Sequence, residues 1–107
     1  MKKLVFLVLM TISSISFGTN FKGGNELYEE LKYQNSKDTM EQVKYMIGTS
    51  YILGVVDTRF NKCNFDNVVA GQLYDTVLIY LTNHPEMRQY TASSLVELSI
   101  KQKFKCK

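Results

Sequence analysis

The groups able to do chemistry in this chain are few and scattered. It carries two cysteines, Cys63 and Cys106, a single histidine, His84, and ten carboxylates and seven tyrosines spread along its length. A nucleophilic cysteine needs a base and a third group to orient that base. One distant histidine does not supply both, so free or catalytic thiols are the weaker reading. In an exported chain an even cysteine count at wide spacing reads instead as a disulfide. Closing a loop of that length contributes on the order of 4 kcal/mol in the chain-entropy model. His84 has no cysteine or acidic cluster around it at ligand spacing, so a structural place at a helix end is expected and no metal is. The sequence contains no glycine-rich phosphate loop, no HExxH, no GxSxG and no CxxC. No catalytic residue and no cofactor is expected, and an enzyme ranks last among the readings.

Export is itself read from the first residues. Lys2 and Lys3, the apolar run Leu4 to Ile12, and the small residues Ser16 and Gly18 have the layout of a secretory signal peptide over residues 1–18. Cleavage is expected after Gly18. The apolar run is well short of the roughly 20 residues that span a bilayer, and no cysteine stands near the cut to carry a lipid, so no membrane association is expected after cleavage. Residues 19–107 then form one small domain. The formal charge of +3 includes both lysines of the leader. What remains is close to neutral, without the basic footprint of a nucleic-acid binder. A domain this small buries a limited core, which makes a covalent staple useful.

The elements that position these residues read as helices throughout. Thr19 to Gly24 is expected to be a flexible lead-in, with Asn25 capping a short helix over 26–33 that turns Leu27 and Leu31 inward and Glu29 and Glu30 outward. A longer helix is expected over 38–60, opened by a capping box of Thr39 and Gln42. Its three-and-four spacing groups Met40, Val43, Ile47, Tyr51, Gly54 or Val55, and Thr58 on one stripe. Gly48 and Gly54 each cost about 1 kcal/mol in a helix interior. Close approach of a neighbouring helix is the expected reason, with a kink as the alternative. Asp57 reads equally as a buried or capping carboxylate and as a solvated one. After a loop over 59–67, where Asn64, Asp66 or Asn67 can cap, a helix over 68–83 carries Val69, Leu73, Thr76, Val77, Tyr80 and Leu81, widened by Val68, Leu78 and Ile79. Pro85 breaks it. A last helix from Thr91 or Ala92 to Phe104 presents Ala92, Leu95, Val96, Leu98, Ser99 and Ile100, with Lys101, Lys103 and Lys105 near its C-terminal end, where the helix dipole favours positive charge. The fold class is all-α: a small bundle of four to five helices stapled by one disulfide.

Residues in this order resemble a known family. Behind the leader come Gly24-Asn25-Glu26-Leu27-Tyr28, Tyr51-Ile52-Leu53-Gly54-Val55-Val56-Asp57 and Cys63. Gly71-Gln72-Leu73, Val77, Tyr80-Leu81, His84-Pro85-Glu86, Ser94-Leu95-Val96 and Phe104-Lys105-Cys106 follow. Together they resemble the Rap/Tai family, periplasmic immunity proteins of type VI secretion. The resemblance covers nearly all of residues 19–107. It implies a small helical protein, often a homodimer, that performs no chemistry and binds a cognate peptidoglycan amidase effector, blocking the effector's groove by steric cover. Two departures stand out. A second cysteine pair usual in the family falls at Leu31 and Gly48, and a proline usual after the first cysteine of the remaining pair is replaced by Asn64-Phe65.

Immunity surfaces are specific to one toxin, so contacts do not carry over by position. Adaptable loops on a rigid scaffold are the expected contact elements. The connection with His84, Glu86, Met87, Arg88, Gln89 and Tyr90 comes first and the loop with Asn61 and Asn64 second. The rival reading is a periplasmic acid-stress chaperone, also small, helical and held by one disulfide. One histidine and an ordinary number of carboxylates give it little to switch with.

Overall fold

The computed structural model describes residues 21–60, 63–104 and 106. The leader with its cleavage site, Asn61 and Lys105 lie outside this set. The architecture is all-α: α1 (Gly24–Leu31), α2 (Thr39–Arg59), α3 (Ala70–Asn83), a 3-10 turn (Pro85–Met87) and α4 (Ala92–Lys103). No strand forms among the described residues; two isolated bridges pair Gly23 with Thr91 and Cys63 with Cys106.

The core is built by one face from each helix. Leu27 and Leu31 of α1, Ile52 and Val56 of α2, Leu73, Val77 and Leu81 of α3, and Leu95, Val96 and Ile100 of α4 are buried together with Phe60. At about 25 cal/mol per Å² of apolar surface, each such aliphatic side chain contributes about 1.5–3 kcal/mol relative to exposure. The stripes of α3 and α4 are those expected, except that Val69, Ile79 and Leu98 point outward.

Helix α2 departs from its expected stripe. Gly48, Thr49, Ile52, Val55 and Val56 face the core, whereas Met40, Val43 and Ile47 are 69%, 42% and 50% exposed. Apolar residues lie on both sides of this helix, and a 3.6-residue period accommodates either side. The packing partners decide between them. Helix α1 approaches so closely at Gly48 that an added Cβ would stand 3.0 Å from Glu30 Cβ and 3.1 Å from Leu31 Cδ2. Gly54 meets nothing within 4 Å, so close approach accounts for one glycine and not for the other. The same contact joins Leu31 to Gly48, the two positions where the resemblance places a second cysteine pair. The leucine side chain occupies the inter-helix space there. Asp57 is exposed, which settles it as a solvated carboxylate.

The helix starts also differ from expectation. Gly23, not Asn25, is the N-cap of α1, with no side-chain cap. The orphan N–H groups that a cap would satisfy are taken by distant backbone: Gly24 N–H donates to Tyr90 O at 2.8 Å and Asn25 N–H to Arg88 O at 2.9 Å. Residues 22–24 are therefore pinned, against the expectation of a flexible lead-in. Glu30 is turned toward Lys22, whose ammonium lies 2.6 Å from its carboxylate, and both side chains are largely buried, so Glu30 does not face solvent. In α2 the cap is Asp38, which accepts from Glu41 N–H at 3.1 Å. Gln42, the expected box partner of Thr39, donates instead to Ser36 O at 3.1 Å. Helix α3 starts one residue after Val69, whose N–H donates to the Gln72 side chain at 2.9 Å. Asn64 accepts from Asp66 N–H at 3.0 Å and shapes the preceding turn, and Asn67 adopts φ 63°. Neither caps the helix.

The expected disulfide is present between Cys63 and Cys106. It sits beside a row of edge-to-face rings, Phe60 to Phe65 at 6.5 Å and Phe65 to Phe104 at 5.6 Å. That apolar cluster ties the loop before α3 to the end of α4.

Candidate functional site

The connection between α3 and α4 is held rigid from within. His84 ends α3: its N–H donates to Tyr80 O at 3.0 Å and its Nδ1 lies 2.9 Å from the same oxygen. A carbonyl can only accept, so Nδ1 carries a proton there. The imidazole also stacks on the Tyr80 ring at 4.2 Å. Pro85, with its fixed φ and no N–H to satisfy, opens the 3-10 turn. Met87 N–H then donates to His84 O at 3.0 Å and Tyr90 N–H to Met87 O at 3.1 Å.

Arg88 closes the connection onto the body of the protein. Its Nε donates to Leu81 O at 2.7 Å and its Nη2 reaches Thr82 O at 3.4 Å, both carbonyls at the end of α3 that lack intrahelical partners. Its guanidinium lies 3.7 Å from the centroid of the Tyr28 ring, a cation–π contact to α1. Its own carbonyl receives the α1 N-terminus. The approach is so tight that a Cβ on Gly24 would stand 2.7 Å from Arg88 O.

The sequence-selected residues therefore divide. Arg88 is committed internally and Met87 is half-buried against the core. Glu86, Gln89 and Tyr90 are exposed, with His84 half-buried beside them. Asn64 is exposed, and Asn61 is outside the described residues. The two loops are not brought together. They flank α3, whose 14 residues span ~20 Å at ~1.5 Å per residue.

A cavity of about 310 Å³ adjoins His84, between α3 and α4. It is lined by Thr76, Ile79, Tyr80, Asn83, His84, Ser99, Gln102 and Lys103. Only His84 of these was selected from the sequence. Ile79, read as core, was the available signal, because an apolar residue at the margin of a buried stripe is one that a neighbouring helix can leave uncovered. On the α4 surface beyond the cavity, Glu97 binds Lys101 at 2.9 Å and Arg59 at 3.1 Å. The hydrogen bond from Lys101, ahead of that from Arg59, holds its carboxyl below the usual glutamate range.

Among the described residues no group of three histidine, cysteine or carboxylate side chains could hold a metal ion, and both cysteines are in the disulfide. No helix among them is long and apolar enough to cross a membrane. What the described residues form is a small helical domain stapled by one disulfide, with the connection between α3 and α4 braced by internal hydrogen bonds. The sequence profile of the Rap1a immunity proteins matches residues 23–106, and the chain belongs to that family. Among curated proteins none matches it significantly.

Proposed function

We propose that this chain is a periplasmic immunity protein that binds a type VI secretion effector, a peptidoglycan amidase, and blocks it by covering its groove. The observation that carries the reading is the family match across residues 23–106. A connection braced by internal hydrogen bonds is consistent with it: a rigid protrusion loses little conformational entropy on docking. Glu86, Gln89 and Tyr90, beside His84, are the proposed contact residues, and Asn61 and Asn64 the second set. Residues 1–18 are the proposed leader, directing the chain to the compartment where its disulfide forms.

The test uses the product of the neighbouring open reading frame as the candidate toxin. Directed to the periplasm, the toxin alone is expected to lyse cells, and co-expression of this chain is expected to restore growth. In vitro, the purified protein should stop the release of cleaved peptide cross-links from peptidoglycan. A folded, exported protein that neither rescues growth nor inhibits hydrolysis would overturn the reading. Mass spectrometry of the exported protein should give Thr19 as its first residue.

A homodimer is proposed with it. The exposed face of α2, with Met40, Val43, Met46 and Ile47 followed by the open Gly54, offers an apolar stripe for a second copy. Light scattering at micromolar concentration should return twice the chain mass, and Ile47→Glu should halve it. A wild-type monomer under these conditions removes the dimer.

A further inference from the structure

The cavity beside His84 has a polar pattern that discriminates between ligands. Thr76 Oγ1 donates to Gln72 O at 2.7 Å and Ser99 Oγ to Val96 O at 3.0 Å. Both hydroxyl protons are thus committed, and the two oxygens offer only lone pairs, which suits an N–H of the ligand. The side chains of Asn83 and Gln102 have no hydrogen-bond partner among the described residues. Each amide presents a donor and an acceptor, the complement of a peptide group. Ile79 and the stacked rings of Tyr80 and His84 supply apolar wall for an aliphatic stem.

Charge narrows the class further. The lining contains no carboxylate, and Lys103 is its one cationic side chain. Lys22, Lys32 and Lys101 each pair with a glutamate, whereas Lys103, like Lys37 and Lys44 elsewhere on the surface, has no carboxylate within ion-pair distance among the described residues. A volume of about 310 Å³ is at the small end of the ~300–1,000 Å³ typical of ligand pockets.

We propose that this cavity receives a short peptide segment of the effector bearing an aspartate or glutamate side chain, with Lys103 as the ion-pair partner. Asn83 and Gln102 hold the segment's backbone, and the Thr76 and Ser99 oxygens accept its N–H. The proposal rests on the immunity reading and deepens it, by placing an acidic anchor of the effector next to the connection that covers the effector's groove.

Two arms test it. In the first, isotope-labelled oxidised protein is titrated with N-acetylated, C-amidated Ala-Glu-Ala and Ala-Gln-Ala peptides. The glutamate peptide is expected to give saturable amide shifts at Thr76, Ser99 and Gln102. The glutamine peptide should bind at least tenfold more weakly, and Lys103→Glu should abolish the response. Absent shifts, or equal shifts with both peptides, overturn the proposal.

In the second arm the product of the neighbouring open reading frame, the candidate toxin, is the probe. Lys103→Glu should weaken its binding at least tenfold and Lys103→Gln by less, both at unchanged melting temperature. If the toxin binds Lys103→Glu as it binds wild type, the acidic-anchor proposal fails while the immunity reading stands. If the toxin does not bind wild type at all, the immunity reading fails and takes the proposal with it.

Discussion

The hairpin formed by α3 and α4 is closed at its two ends by different means. At one end the Cys63–Cys106 bond joins two segments beside a cluster of phenylalanines. At the other, closure is polar and uses a third segment: the N–H groups of Gly24 and Asn25 reach the carbonyls of Tyr90 and Arg88, and Ala92 N–H reaches Lys22 O at 2.8 Å. The covalent clasp occupies two side chains, with apolar ring contacts of Phe60, Phe65 and Phe104 beside it. The polar clasp instead consumes Arg88 and the backbone around it. Arg88 and Met87 of that connection are turned inward, while Pro85, Glu86, Gln89, Tyr90 and Thr91, with the edge of His84, face outward, so its rigidity and its outward surface have one origin.

The comparison can be broken first at the covalent end. Cys63→Ser with Cys106→Ser is expected to lower unfolding free energy by about 4 kcal/mol, measured by urea titration. Toxin binding should persist wherever the variant stays folded. If a folded variant loses its partner, the disulfide end is part of the contact surface and the division between the two ends is wrong.

At the polar end, Gly24→Val is expected to cost about 3 kcal/mol. Its Cβ would stand 2.7 Å from a backbone oxygen that cannot move aside cheaply, and overpacking costs of this order are usual. Arg88→Ala should cost about 2 kcal/mol, from hydrogen bonds of a charged donor lost to two carbonyls and the lost contact with Tyr28. Arg88→Lys should recover only part of this, since an ammonium lacks the planar fork. Thermal denaturation of the three proteins ranks them, and full recovery by lysine would show that charge alone holds the clasp.

The two glycines of α2 sharpen the point at smaller scale. Gly54→Ala should stabilise the monomeric fold by up to about 1 kcal/mol from helix propensity. Gly48→Ala should destabilise, because Glu30 and Leu31 already occupy the space. Equal signs for the two would mean that α1 yields at Gly48. The smallest effect belongs to Glu97. Its carboxyl is held below the ordinary range by Lys101 and then Arg59. Its contribution is therefore present above the ordinary glutamate pKa of about 4.3 and is lost as pH falls through the lower folded value. Glu97→Gln should cost less than about 1 kcal/mol at neutral pH, since exposed pairs are screened. That difference should vanish in acid, as followed by urea titration at several pH values.

Much of the scaffold could be read from the residues alone. Leu73, Val77 and Leu81, and likewise Leu95, Val96 and Ile100, dominate one side of their helices, with Ile79 and Leu98 the large apolar residues left outside, so period and burial largely agree. Two cysteines behind an expected export signal likewise made the Cys63–Cys106 bridge the favoured reading over free thiols. Helix α2 was legible as a helix, but its inward face was not, because Met40, Val43 and Ile47 repeat as well as Ile52, Val55 and Val56 do. Only the arrival of α1 at Gly48 selects between them. The capping of α1 and the commitment of Arg88 were invisible for a related reason. The carbonyls that cap α1 lie more than sixty residues away, and Arg88 reaches back past the proline turn to Leu81 and Thr82 and across to Tyr28 on α1, contacts that no helical period encodes. The lining of the cavity beside His84 belongs to this second class, since Thr76 and Lys103 become neighbours only when α3 and α4 pack. Local periodicity is a property of one segment, which is why the sequence determined the helices and their staple. Closeness between segments is a property of their packing, and it is there that the free surface, the clamped connection and the open cavity were decided.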